Sequence, residues 1–413
     1  MSILLILLIS LINLTLSDAI KKGLKENPLY LQAKKEFLIK QKNNAYFYSE
    51  LLPRISGGYL RQKNNLILDG VEVYDSTNRY YGVEMNWDLS PNEIFNAFSS
   101  HYDNSSIFFS FLELRDQAIY EIISQYLNTL KLDKLFESRK RAVERTENNL
   151  KLIEEKKELG AASFAEVLQG KVNNLEAQLE FMETKKNRKI SLLKLKKLIG
   201  LGIGDSVLLE EPEIDFVIPP KDSIFYLAER RDPLINEFTS ELIKARIDFL
   251  NVSTKNFFSF SFGTEWRYRD KEFPNLDFLK DNYNYSIGFS ISIPLFTGFS
   301  RINEITKAQL IMDLAFLRLK EREKELRILV EENYLLYEES QKKLELAQTA
   351  LSFAEENYKA ASERYRLGEA SIIELLGAEE DLLKAQYYLT EARFDWYLSI
   401  YSLRKLMGEL YEE

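Results

Sequence analysis

The chain has 413 residues, and its 9 prolines and 16 glycines are too few for several ordinary small domains, which predicts long uninterrupted elements. A formal net charge of -9 argues against a protein that binds nucleic acid through phosphate neutralisation. With no cysteine and one histidine, His101, the chain has no disulfide, no thiolate metal site and no two-histidine mechanism, so we expect no cofactor.

The N-terminal segment, residues 1–16, is almost entirely apolar. It is too short to span a bilayer, and it resembles the apolar region of a secretory signal peptide. It has no basic side chain and no A-x-A cleavage site. We predict a signal peptide over residues 1–16, and the alternative is an N-terminal core helix.

An internal repeat organises the rest of the chain. Residues 126–200 align without a gap on residues 334–408 at an offset of 208, and roughly 24 of the 75 pairs are identical. We therefore interpret the chain as a first repeat over residues 17–204, a linker over 205–221 and a second repeat over 222–413.

Each repeat has the same predicted order of a helix, a β-hairpin and a long helical hairpin. The opening helices are expected near residues 18–51 and 222–251, the β-hairpins near 54–90 and 256–296, and the helical hairpins near 92–200 and 299–408. Proline is absent throughout both helical-hairpin stretches, which are rich in Glu, Lys, Leu, Ala and Gln. A first arm of about 65 residues would be roughly 100 Å long at 1.5 Å per residue.

The predicted strands alternate apolar and small polar residues, as strands with one oily face do. Nine to eleven such residues are enough to cross an outer membrane at a tilt. We predict that the lipid-facing residues are Phe258, Phe260, Phe262, Trp266, Tyr268, Ile287, Phe289, Ile291 and Ile293 in the second repeat, and Tyr81, Val83, Met85 and Trp87 in the first.

The number of strands has a consequence for assembly. In lipid every backbone polar group needs a protein partner, and the smallest barrels of this kind use eight strands, whereas one chain supplies four. If these strands lie in a membrane, several copies must complete one sheet. The alternatives are a soluble β-sandwich for the strands and a coiled coil, filament or tether for the helices.

Several motifs carry a resemblance to a known family. Four segments are similar to the corresponding motifs of TolC-type outer membrane efflux proteins: Asn27-Pro28 and residues 51–55, 293–298 and 365–376. The resemblance covers residues 14–413. It implies a homotrimer in which long α-helical hairpins form a periplasmic α-barrel and four strands per chain contribute to a 12-stranded outer-membrane β-barrel.

The resemblance also implies a function and partners. The chain would be the outer-membrane exit duct of a tripartite efflux or type I secretion system, working with a periplasmic adaptor protein and an inner-membrane RND, ABC or MFS transporter. The alternative function is a secreted or periplasmic coiled-coil scaffold without a pore. No catalytic constellation, P-loop or dinucleotide motif is present, so we do not expect an enzyme.

Two groups of residues are candidates for function. The turns of the helical hairpins are the implied adaptor contacts, and their residues are Leu159, Gly160, Ser163, Leu367, Gly368 and Ser371. Plain turn chemistry would also favour glycine and serine there. Glu166, Glu374 and Tyr365 are the implied residues of a periplasmic entrance, although the alternative for the glutamates is a solvated outer face. The family has an acidic residue at the position of Gly377 and a basic residue at the position of Ala370, so this chain departs from the family pattern that the usual closing salt bridge requires.

Overall fold

The computed structural model describes residues 11–49, 51–69, 71–214, 216–254, 259–270, 283–293 and 299–410. The helices are α1 (Leu16–Glu26), α2 (Pro28–Ser49), α3 (Pro91–Glu158), α4 (Phe164–Leu198), α5 (Lys221–Arg231), α6 (Pro233–Thr254), α7 (Ser300–Leu367) and α8 (Ile372–Leu406). The strands are β1 (Leu11–Leu14), β2 (Arg54–Leu68), β3 (Val71–Leu89), β4 (Ser206–Leu209), β5 (Ser259–Asp270) and β6 (Asn284–Ser292). The predicted combination of long helical hairpins and four hairpin strands is confirmed.

The repeat is visible in the lengths of the elements. Helices α3 and α7 each have 68 residues, and α4 and α8 each have 35. At 1.5 Å per residue, α3 and α7 are each about 100 Å long, as the sequence predicts. No described helix is both long enough and apolar enough to cross a bilayer.

The opening helix of each repeat differs from the prediction, because a proline divides it into two. The amide of Asn27 ends α1 by donating to the carbonyl of Gly23, and α2 begins at Pro28. In the second repeat, Asp232 ends α5 in the same way and α6 begins at Pro233. Proline suits the first position of a helix, where its missing N–H would have had no intrahelical acceptor.

The N-terminal strand also differs from the predicted boundary at residue 16. Strand β1 pairs in parallel with β4, and Leu14 and Leu16 are buried in a core with α3, α4 and α8. The hydroxyl of Tyr126 lies 2.7 Å from the carbonyl oxygens of both Leu14 and Glu210, which ties the two strands to α3. Cleavage after residue 16 would remove β1, so a signal peptide that leaves this sheet intact must end before Leu11. Residues 1–10 lie outside the described residues, and a signal peptide there stays a prediction.

The chain divides into two compact units, and each unit takes segments from both repeats. The first comprises residues 1–35, 111–233 and 323–413, and the second comprises residues 36–110 and 234–322. The first unit contains the core around Tyr126 and the ends of the helical hairpins. The second contains the four-stranded sheet and the helical segments next to it in sequence.

The four-stranded antiparallel sheet has the order β2-β3-β5-β6. Its register aligns Tyr59 with Tyr81, and Tyr81 with Tyr268, so these three residues share one face. The same register brings the apolar residues of all four strands together. This apolar face comprises Ile55, Tyr59, Tyr81, Val83, Met85, Trp87, Phe260, Phe262, Trp266, Tyr268, Tyr285, Ile287, Phe289 and Ile291.

Small and polar residues occupy the other face, where Gly58 is opposite Gly82 and Gly263 is opposite Gly288. Most of the predicted lipid-facing side chains are exposed or half-buried in the single chain; Ile287 and Phe289 are each 66% exposed. Tyr268 is the exception. Its side chain belongs to the apolar face but is fully buried in the single chain, with its ring 6.2 Å from that of Tyr81, so its contact with lipid stays a prediction. Phe258 lies outside the described residues.

Candidate functional site at the helical turns

The two helical hairpins turn through the same backbone motif. We call residues 159–163, between α3 and α4, the first tip, and residues 367–371, between α7 and α8, the second tip. Gly160 has φ +73° and Gly368 has φ +80°, and no other atom lies within 4 Å of the position that a Cβ would take at either glycine. The following amides, of Ala161 and Glu369, donate five residues back, which closes α3 and α7 in Schellman turns. Glycine is needed here for its left-handed backbone.

Serine begins the next helix at both tips. The Ser163 hydroxyl accepts the Glu166 amide at 3.2 Å, and the Glu166 carboxylate accepts the Ser163 amide at 2.7 Å, which completes a capping box. Ser371 caps α8 through the Glu374 amide, also at 3.2 Å. The predicted turn chemistry is therefore present. Leu159 and Leu367 are 83% and 67% exposed, although leucine is usually buried.

A small apolar cluster lies next to the two tips and joins both hairpins. It comprises Ile153 of α3, Val167 of α4, Tyr365 of α7, and Ile372 and Leu375 of α8. All five side chains are buried, and Ile153 and Leu375 have no exposed surface. The first turns of α4 and α8 therefore have a defined position relative to the last turns of α3 and α7.

Tyr365 is held by the first hairpin. The Lys156 ammonium lies 4.1 Å from the centre of the Tyr365 ring and donates to the Tyr365 carbonyl oxygen. The Tyr365 hydroxyl is buried and has no hydrogen-bond partner among the described residues. Burial, with a smaller contribution from the charge of Glu166, raises the pKa of this hydroxyl. A buried hydroxyl without a partner is costly, so this position favours an additional polar contact.

The two candidate entrance glutamates have different partners. Glu166 is engaged in the capping box of α4, whereas Glu374 forms a salt bridge with Arg364 of α7. Arg364 also donates to the carbonyl of Glu369, at 3.3 Å. Arg364 is thus the basic partner of Glu374, and the sequence analysis did not predict this pair. Whether Glu166 or Glu374 faces a lumen stays a prediction.

A buried acidic residue near the tips was missed by the sequence analysis. Glu379 of α8 is only 1% exposed, and its Oε2 atom accepts from Asn149 of α3 at 2.9 Å and from Asn173 of α4 at 3.4 Å. Arg145 of α3 lies 3.8 Å from its Oε1 atom. We call these four residues, with Tyr358 of α7, the Glu379 cluster.

One signal in the sequence distinguishes Glu379. At the offset of 208, the residue equivalent to Glu379 is Lys171, so the repeat changes the sign of a charge at this position. Lys171 is exposed and forms a surface pair with Glu154 at 3.5 Å. Such a reversal between otherwise similar helices indicates a position where the two hairpins have different surroundings.

Comparison with known proteins agrees with this architecture. Residues 258–409 match the family model described as outer membrane efflux protein. No curated protein matches the chain by sequence.

Solved structures of outer membrane channels have the same fold. The outer membrane protein VceC of Vibrio cholerae is 17% identical with a TM-score of 0.82, covering 95% of this chain and 96% of its own. The CmeC outer membrane channel of Campylobacter jejuni is 19% identical with a TM-score of 0.81, covering 96% and 86%. The open state of the MtrE outer membrane channel of Neisseria gonorrhoeae is 15% identical with a TM-score of 0.78, covering 96% and 89%.

Proposed function

We propose that this chain, an outer membrane efflux protein by its family match, forms one third of a trimeric exit duct. The match confirms the family resemblance and the outer-membrane location that the sequence predicts. The duct would be the outer component of a tripartite efflux or type I secretion system. It would conduct substrates passively, and a separate inner-membrane pump would supply the energy.

The observation that carries this proposal is the open four-stranded sheet, whose two outer edges pair with no further strand within the described residues. Its apolar face runs across all four strands, while β2 and β6 form its two edges. In hydrocarbon an unpaired edge costs several kcal/mol for each unsatisfied backbone group, so each edge needs a strand from another copy. Three copies would supply twelve strands, enough to close a barrel around a lumen lined by the small polar face.

The trimer is tested by purifying the full chain in detergent, measuring its mass and reconstituting it in planar bilayers. We expect a trimer that conducts ions. A water-soluble monomer that forms no channel would instead support the coiled-coil scaffold. Recovery of the chain in the soluble fraction of cells, without detergent, would favour the scaffold as well.

We further propose that the two tips are the contact surface for a periplasmic adaptor. The exposed side chains of Leu159 and Leu367, together with the open space beside Gly160 and Gly368, support this assignment. An apolar leucine on a tight turn is suited to bury itself against a partner helix. Ser163 and Ser371 would act indirectly, by fixing the start of α4 and α8 through their caps.

The adaptor contact is tested by two substitutions at one glycine. Gly368→Asp adds a charge, and Gly368→Asn adds a side chain of similar shape and similar tolerance for a left-handed backbone. We expect Gly368→Asp to abolish cross-linking to the adaptor and Gly368→Asn to retain most of it, with the trimer intact in both. Equal cross-linking of the two variants would place the contact elsewhere.

Glu166, Glu374 and Tyr365 remain the proposed residues of the entrance. Threefold symmetry would repeat each carboxylate around the axis, and a ring of carboxylates at a narrow opening attracts cations. The buried Tyr365 hydroxyl, which lacks a partner among the described residues, supports a polar contact at this level.

A further inference from the structure

Side chains from all four long helices meet in the Glu379 cluster. Glu379 comes from α8, Arg145 and Asn149 from α3, Asn173 from α4 and Tyr358 from α7. The Asn149 amide lies 3.5 Å from the Tyr358 hydroxyl, and the Arg145 guanidinium lies 5.9 Å from the centre of the Tyr358 ring. A carboxylate on the second hairpin is thus held mainly by the first.

The ionised carboxylate is incompletely satisfied in this position. Its Oε1 atom has no hydrogen bond among the described residues, and the buried Nε and Nη2 atoms of Arg145 also lack one. The separation of 3.8 Å between Arg145 Nε and Glu379 Oε1 is too long for a hydrogen bond. A buried ion pair with this geometry does not recover the cost of removing its charges from water.

We propose that Glu379 is a proton-sensitive positioning residue: its protonation strengthens the packing of the second helical hairpin against the first near the tips, and its ionisation weakens it. Arg145 from α3 and Tyr358 from α7 are the titratable groups that face it, and α4 contributes only the neutral Asn173. This role of Glu379 depends on the packing of the two helical hairpins and not on ion conduction. A failed channel measurement would therefore contradict the exit duct but not the role of Glu379.

Linkage between proton binding and conformation determines whether acidification strengthens or weakens the packing of α8. Burial raises the pKa of the Glu379 carboxyl above its ordinary value, against smaller lowering effects of Asn149, Arg145 and Asn173. If α8 separates from α3, the carboxyl meets water and its pKa returns toward that ordinary value. The packed arrangement therefore binds the proton more tightly, and acidification stabilises it by up to about tenfold per pH unit between the two pKa values.

The test is hydrogen exchange of the full chain in detergent, measured by mass spectrometry from pH 8 to pH 5 and corrected for the intrinsic exchange rate at each pH. We expect protection of residues 375–385 of α8 to rise as the pH falls. Residues 184–194 of α4 are an internal control, because they contain no member of the Glu379 cluster and their Arg188 pairs with Asp133 of the same hairpin. These residues should show a smaller pH dependence than residues 375–385.

Variants assign the effect to one carboxyl. Glu379→Gln should remove the pH dependence in residues 375–385. Glu380→Gln, which alters the adjacent exposed carboxylate paired with Lys384, should retain it. Asn149→Ala removes a donor to the carboxylate and should move the transition to higher pH, which gives a second test if Glu379→Gln does not fold. An unchanged slope in Glu379→Gln, a slope of opposite sign in the natural chain, or an unmoved transition in Asn149→Ala would each overturn the proposal.

Discussion

The first and second tips have the same backbone but different side-chain partners. Both turn on a glycine with positive φ and begin the next helix with a capping serine. Lys156 and Arg364 are equivalent at the offset of 208, yet Lys156 contacts Tyr365 of the other hairpin, whereas Arg364 pairs with Glu374 of its own. Duplication has therefore preserved the turn while the contacts between hairpins have diverged.

The residues that begin α4 and α8 show the same divergence. Phe164 is 63% exposed, whereas its equivalent, Ile372, is 6% exposed and belongs to the cluster that joins the hairpins. The large aromatic residue is thus on the surface and the smaller aliphatic residue is inside. Identical turn geometry consequently does not imply identical roles for the two tips.

The largest expected difference between the tips comes from truncating these two residues. Ile372→Ala removes buried methyl groups and should destabilise the packing at the second tip by about 2–5 kcal/mol. Phe164→Ala alters a surface residue whose ring lies 4.9 Å from the Lys157 ammonium, and should cost less than about 1 kcal/mol. Hydrogen exchange in the first turns of α8 and α4 measures both effects. Equal losses of protection would show that the tips are equivalent.

A smaller difference is expected between the two equivalent cations. Lys156→Gln removes a cation–π contact and a charge-assisted hydrogen bond to the other hairpin, and should destabilise the second tip by roughly 0.5–2 kcal/mol. Arg364→Gln breaks an ion pair whose two side chains are 51% and 41% exposed, which is typically worth about 0–1 kcal/mol. The readout is exchange of the amides in residues 365–375. A larger effect for Arg364→Gln would reverse the comparison.

The smallest effect is expected for the ion selectivity of the channel when a glutamate of the proposed entrance loses its charge. If Glu374 faces the lumen, Glu374→Gln should lower the cation preference of the channel at low salt, and the difference should disappear near 1 M salt, where the Debye length is about 3 Å. Glu166→Gln is the matched comparison at the first tip. Reversal potentials in a salt gradient measure both, and unchanged values for Glu374→Gln would remove it from the lumen.

Much of the fold could be predicted from the sequence because the relevant signals are local. Alternation of period two predicts strands with one oily face, long proline-free stretches rich in helix formers predict the helical hairpins, and glycine followed by a capping serine predicts the turns. The sequence predicts one opening helix in each repeat, whereas the structure divides each helix at a proline, Pro28 or Pro233. The predicted boundary at residue 16 stays a prediction, because a short apolar segment looks the same in a signal peptide and in a buried strand such as β1.

The candidate site was predicted only in part. The tip residues follow from turn chemistry and from the resemblance, whereas the partners of Lys156, Arg364 and Glu379 depend on residues far away in the chain. Asn149 and Glu379 are separated by 230 positions. Neither composition nor spacing indicates which of many glutamates will be buried, although the exchange of Lys171 for Glu379 between repeats offered a clue.

The sequence by itself determined the duplicated order of elements, the apolar alternation of the strands and the geometry of the turns, because each depends on neighbouring residues and on backbone sterics. Only the tertiary structure decided the register that unites four strands into one apolar face, the burial of Tyr268 and Leu14, and the meeting of four helices at Glu379. These features arise from contacts between distant segments, whose free energy depends on which surfaces exclude water together and is not encoded in any single stretch of chain.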